Sequence, residues 1–219
     1  MLIESLQRLC HGGYRLPWRS LLLASLAVAA YWLFGAAPDV WVFDRTAIAQ
    51  GDWWRLFTGY WVHSSLDHAI WDIGALLVMG FLFEKQLGRQ MFFVLFLGGL
   101  AVDAWIWWGE TSLAYYCGLS GILNSLMAVG LVQLWREQRH ALILLVGLGY
   151  VGKVCMELVD GQMLLTHTAW PGVPEVHAVG LVCGILYTLI FVRQPRASHE
   201  KRIYGRNTAA VQHHGAGGR

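Results

Sequence analysis

Ser120 sits in the run Tyr115-Tyr116-Cys117-Gly118-Leu119-Ser120-Gly121-Ile122-Leu123-Asn124, and His177 in Glu175-Val176-His177-Ala178-Val179-Gly180-Leu181-Val182-Cys183-Gly184. A serine hydroxyl becomes a nucleophile when an imidazole within hydrogen-bonding reach can take its proton. Together the two runs could therefore carry acyl transfer. Gly-x-Ser-Gly alone is weak in a chain with 25 glycines. It also differs from the Gly-x-Ser-x-Gly elbow of soluble hydrolases, which needs a strand before the serine, and no strand is expected ahead of Ser120. What the motif offers is a helix start whose glycines permit close backbone approach. That would set Ser120 among free N–H groups at the positive end of a helix, where an oxyanion is stabilised.

Two helices must bring these groups together. His177, Gly180 and Gly184 share one helical face by their i, i+3 and i+7 spacing, and Gly180-x-x-x-Gly184 is a surface that admits a second helix closely. Gly121, Ser125 and Ala128 form a matching surface beside Ser120. If these faces pack, the Ser120 hydroxyl and the His177 imidazole come within hydrogen-bonding reach. Ordinary helix packing that happens to include a Ser and a His is the competing account.

Composition says what surrounds those helices. The 219 residues are 56% hydrophobic and 14% charged, against roughly 25% charged in an ordinary soluble domain, and the mean hydropathy is +0.46. Twelve Trp exclude a disordered chain, and a net charge of +2 is too small to mark a nucleic-acid binder. An all-α membrane protein follows. Apolar runs bounded by charged or turn residues predict six spans, about 18–37, 68–84, 90–109, 117–135, 140–158 and 175–193. The domain organisation expected is a cytoplasmic N-terminal segment (1–17), a six-helix membrane domain (18–193) and a flexible basic cytoplasmic tail (194–219) ending in a Gly- and His-rich stretch. The first connection, 38–67, holds four Trp among charged residues and suits the headgroup layer. Thirteen of the sixteen Lys and Arg fall on one side of this topology, against Arg45 and Arg55 on the other. Both termini are therefore expected in the cytoplasm. The start imitates a signal peptide, with Gly35-Ala36-Ala37 as its small residues, but its apolar stretch is longer than usual for one.

Ionisable groups within spans each call for a function or a partner. They are His68 and Asp72, Asp103, Lys153 and Glu157, and His177, joined by the polar Ser120 and Asn124. His68, Ser120 and His177 fall at the outer ends of spans two, four and six, at similar depth. Lys153 and Glu157 are four apart and read as an intrahelical ion pair; a network of Asp72, Asp103 and Lys153 is the other possibility. Cys10, Cys117, Cys155 and Cys183 match neither a metal nor a redox spacing and read as buried small residues. No His-Glu-x-x-His helix is present, and no metal or other cofactor is expected.

From about Trp53 to Arg193 the chain resembles the rhomboid intramembrane serine proteases. The likeness rests on Trp54-Arg55-Leu56-Phe57-Thr58-Gly59, on His63-Ser64-Ser65-Leu66-Asp67-His68 followed by Phe83-Glu84-Lys85-Gln86-Leu87-Gly88, on Gly118-Leu119-Ser120-Gly121, and on His177-Ala178-Val179-Gly180 with Gly184. The Trp-Trp-Arg-Leu-Phe-Thr-Gly stretch and the lack of an added soluble domain are similar to the rhombosortase branch. The resemblance implies a Ser120–His177 dyad without a third acidic member. It also implies an oxyanion held by the Ser120 N–H with help from His68, and Gly118 and Asn124 as supporting residues.

Two departures stand out. Asp72 replaces an Asn that donates to the oxyanion in many rhomboids, so it must be protonated, turn away towards Lys153 or another partner, or impair catalysis. Asn124 stands where many have Tyr against the histidine; its amide could hydrogen-bond His177. The implied partner is a single-span membrane protein cut near its outer, periplasmic end in the lipid bilayer of a bacterial inner membrane; the rhombosortase likeness adds a C-terminal Gly-rich sorting tail. The alternatives are a catalytically impaired rhomboid-like protein that binds membrane clients, and a metal site or transporter built on His63, His68, Asp72 and His177.

Overall fold

A computed structural model describes residues 16–166 and 169–192. Residues 1–15, with Arg8, Cys10 and Arg15, and the basic tail lie outside the described residues. The chain divides into a compact unit, residues 1–188, and a second, residues 189–219, of which 189–192 are described.

Six long helices occupy the expected positions: α1 (Trp18–Phe34), α4 (Leu66–Leu87), α5 (Gln90–Ala104, extended by a π turn Trp105–Gly109), α6 (Ser120–Gln138), α7 (Ala141–Asp160) and α8 (Pro174–Phe191). The short α2 (Arg45–Ala49) and α3 (Arg55–Thr58) lie in the first connection. Among the described residues four helices, α4, α5 with its extension, α7 and α8, are long and apolar enough to cross a bilayer. Helix α1 is apolar but shorter. Helix α6 is central, with Gly121–Leu126 and Ala128–Gly130 all buried. Its neighbours shield it, so it can carry Ser120, Asn124 and Ser125 without meeting lipid.

The expectation of no strand before Ser120 is overturned. Tyr115–Tyr116 (β2) pairs antiparallel with Phe43–Asp44 (β1), Phe43 opposite Tyr116. The pairing is only two residues long, but it ties the first connection to the segment leading into α6. Arg45 and Arg55 are also used there. Arg45 donates from Nε to Leu113 O (2.9 Å), from Nη1 to Trp107 O (3.1 Å), and from Nη2 to Glu110 O (2.9 Å) and Ile106 O, satisfying carbonyls left open where the helix of α5 ends. Arg55, buried, donates to Asp52 Oδ2 (3.0 Å), to Val42 O (3.2 Å) and to Asp39 O.

At the other end of α4, buried Glu84 caps α1. Its carboxylate accepts from the backbone N–H of Arg19 (3.0 Å) and Ser20 (2.8 Å) and from Ser20 Oγ (2.7 Å). These are first-turn N–H groups with no partner inside their own helix, and an anion there is favoured by the helix dipole. Glu84→Ala is expected to lower stability by ~1.5–3 kcal/mol, the range for hydrogen bonds to a charged group, read as a fall in the detergent melting temperature; an unchanged melting temperature would contradict the capping role.

Cys117 is buried as expected, but Cys155 is exposed on α7 and Cys183 half-buried. Helix α7 buries only Val154 and Glu157, so most of its apolar side chains face outward.

Candidate active site

Helices α6 and α8 meet through the two small-residue faces. A Cβ placed on Gly180 would lie 2.0 Å from Gly121 O, and one on Gly184 would lie 2.5 Å from Ser125 O and 2.8 Å from the Ala128 Cβ. Ser125 Oγ donates to Gly180 O at 2.9 Å across the contact. The bare backbones therefore set the helix separation. Pro174 opens α8, where its missing N–H costs nothing, and Glu175 follows in the first turn.

This contact brings Ser120 and His177 to the wall of one cavity of about 650 Å³, which Asp72 and Asn124 also line together with Trp71, Tyr150 and Lys153. The hydrogen bond expected between the pair is absent: His177 Nε2 is buried and has no partner. Catalytic hydrogen bonds are often long without substrate and tighten on binding. On its other side Ser120 borders a pocket of about 30 Å³, shared with Ser64 and His68. That is room for about one water among three polar groups.

Asp72 turns neither to Lys153 nor to Asp103. Its Oδ2 accepts from the backbone N–H groups of Leu119 (2.7 Å) and Ser120 (3.1 Å), and lies 3.4 Å from His63 Nε2 and 3.3 Å from His68 Nε2. An oxygen of the protein itself thus holds the donors an oxyanion would need. Gly118 makes this possible. With φ at +112° it reaches a conformation side chains disfavour, and a Cβ there would stand 2.4 Å from His68 Nε2 and 3.0 Å from Asp72 Oδ2. His68 is fixed by Ser64 Oγ at its Nδ1 (3.2 Å) and by the Ser65 cap on its backbone N–H (3.1 Å).

The other expected partnerships separate. Asp103 accepts from Tyr60 OH (2.8 Å), which places it away from Asp72 and Lys153. Asn124 does not bond His177: its Nδ2 donates to Ser120 O (2.7 Å) and its Oδ1 accepts from Tyr150 OH. Lys153 and Glu157 do form the intrahelical pair, at 2.8 Å, but Glu157 reaches further, and its Oε2 lies 2.8 Å from His177 Nδ1.

Sequence reasoning named His63 only for the metal or transporter alternative, and missed Tyr150 and the reach of Glu157 to His177. His63 is fully buried with its ring edge-to-face against His68, 5.1 Å between centroids. Depth could have found Glu157: it lies three residues from the end of α7, and His177 three residues into α8, so both sit ~4.5 Å inside their helix ends. Cys117, close to Ser120 in sequence, is buried and lines the small pocket beside it. Among the described residues no three His, Cys, Asp or Glu side chains are placed to hold a metal ion; His63 and His68 instead converge on one Asp72 oxygen.

The rhomboid domain model matches residues 50–194. The chain is 23% identical over 192 residues to YdcA of Bacillus subtilis (strain 168), which carries the provisional name of a rhomboid protease; the match spans 81% of this chain and 90% of that protein.

Proposed function

We propose, from the premise that this chain belongs to the rhomboid family, that it is an intramembrane serine endopeptidase working through Ser120 and His177. The family membership makes it an integral membrane protein of a protease family that acts on transmembrane substrates within the bilayer. The residue roles go further, and one observation carries them: a serine at a helix start and a buried histidine nitrogen without a partner line the same cavity.

In this reading Ser120 Oγ attacks the scissile carbonyl carbon while His177 Nε2 takes its proton. The carbonyl oxygen, now an anion, takes hydrogen bonds from the N–H groups of Ser120 and Leu119. Collapse breaks the C–N bond, and His177 passes the proton to the leaving amine. A water entering beside Ser64 and His68 then hydrolyses the acyl-enzyme, with His177 again the base.

All six long helices cross the bilayer in this reading, with both termini in the cytoplasm of a bacterial inner membrane and the site near the outer face. The substrate is a single-span protein cut near its outer end, where the helix must first unwind to present a carbonyl. A C-terminal sorting tail, with a Gly-rich site, an apolar span and a basic end, is the finer expectation that the rhombosortase likeness adds. Co-expression of wild type or Ser120→Ala with such a tail and with other single-span substrates tests both levels. Cleavage by the wild type alone supports the protease. Equal cleavage by both would end it.

Asp72 favours a second reading. With its carboxylate on the Leu119 and Ser120 N–H groups, the protein could be a client-binding rhomboid with impaired catalysis. Folded wild type that no fluorophosphonate labels would support this binder. If the protein is a protease, the oxyanion must displace Asp72. An Asn there accepts more weakly and can itself donate. Asp72→Asn is expected to keep or raise the fluorophosphonate labelling rate, by up to ~5-fold for ~1 kcal/mol of weaker hydrogen bonding. Loss of folding in that variant would instead make Asp72 a structural tie.

A further inference from the structure

We infer that Glu157 is a positioning residue for His177, completing a Ser120–His177–Glu157 triad where the family resemblance implies a dyad. The inference rests on the protease reading above and adds a third member to it. Glu157 is completely buried, and its Oε2 lies 2.8 Å from His177 Nδ1. Its carboxylate is itself held by two further groups. Oε1 accepts the backbone N–H of Leu164 at 3.0 Å and lies 2.8 Å from Lys153 Nζ, which also donates to Oε2 at 2.9 Å. A carboxylate so anchored has one orientation, and it presents an acceptor to the imidazole.

Which ring nitrogen carries the proton decides whether His177 can act as a base. A carboxylate accepts only, so the contact requires the proton on Nδ1 and leaves Nε2 with its lone pair. Nε2 is buried and has no partner. Lys153 Nζ stands 3.5 Å from Nδ1 and would favour the opposite tautomer, but that distance is long where the one to Glu157 is short. As Ser120 gives up its proton the ring becomes a cation, and the adjacent carboxylate stabilises it without taking the proton. No bond to Glu157 forms or breaks.

The test uses the full-length protein in detergent with a fluorophosphonate fluorophore, which reports Ser120 reactivity without a known substrate. Glu157→Gln is expected to label ~10²-fold or more slowly, since an amide can hold the wrong tautomer. Glu157→Asp, which keeps the carboxylate, is expected to recover a substantial part of the rate; a purely structural glutamate would give no such ordering. Independently of any variant at 157, the ¹⁵N spectrum of histidine-labelled wild type should contain an Nδ1-protonated ring that disappears in His177→Ala. A ring protonated on Nε2 instead, or Glu157→Gln labelling at the wild-type rate, would overturn the triad and leave the protease reading standing. Wild type that folds but fails to label would remove both together.

Discussion

Ser120→Ala is expected to abolish both substrate cleavage and fluorophosphonate labelling, and His177→Ala to reduce them by ~10⁶-fold or below detection, since members of such a unit fail together. The two substitutions should differ in stability. Ser120 is only half-buried on the cavity wall, so trimming its hydroxyl should shift the melting temperature little, within ~0.5 kcal/mol. His177 is buried and bonded to Glu157, and its loss should cost ~1–3 kcal/mol by stranding part of a charged acceptor. The double variant should be no less active than the worse single one. Additive losses, or substantial cleavage by either single variant, would contradict a shared mechanism.

Gly180→Ala is the second large effect expected, from the addition of a single methyl group. That carbon would stand 2.0 Å from Gly121 O and 3.0 Å from the Asn124 Cβ. A backbone carbonyl has no rotamer by which to yield, so α6 and α8 must move apart. Overpacking of this kind costs ~1–3 kcal/mol. A ~1 Å displacement between a nucleophile and its base costs about 10²-fold in rate. Labelling of Ser120 should therefore fall further than the fraction of folded protein does. Gly147→Ala and Gly149→Ala, on a helix where an added Cβ meets nothing within 4 Å, are the controls and should behave as wild type. Wild-type labelling by Gly180→Ala would mean that this contact does not set the serine–histidine separation.

The chain displayed its helices and their meeting faces because those depend on local patterns. Apolar runs mark the long helices, and small residues at i and i+4 mark where backbones touch, so the α6–α8 contact could be read from Gly121, Ser125, Gly180 and Gly184. The polar partnerships could not be read this way. The sequence leaves Asp72 three possible fates, and its actual one depends on the positive φ of Gly118, which folds two N–H groups towards α4. Asn124 had His177 as its expected partner, yet an amide four residues into a helix also has its own turn to bond, and Ser120 O is nearer. The two-residue strand at Tyr115–Tyr116 is too short to leave a periodic signal; only its partner Phe43–Asp44, more than 70 residues earlier, makes it one. Cys155 was expected inside because cysteines usually are, but α7 is apolar on most of its circumference and its composition hides which side faces inward.

If Glu157 positions His177 as proposed, the sparse anchoring of α7 would link catalysis to the thickness of the surrounding lipid. One of its two buried residues is Glu157, so the helix is held to its neighbours partly through the group that touches the histidine. A bilayer too thin or too thick for this segment would be relieved by tilting it, at a fraction of a kcal/mol per Å. Tilt would be felt first as a lengthening of the carboxylate–imidazole contact. Turnover in vesicles of graded acyl-chain length would then trace a maximum, with the hydrocarbon environment acting as a physical governor of the chemistry.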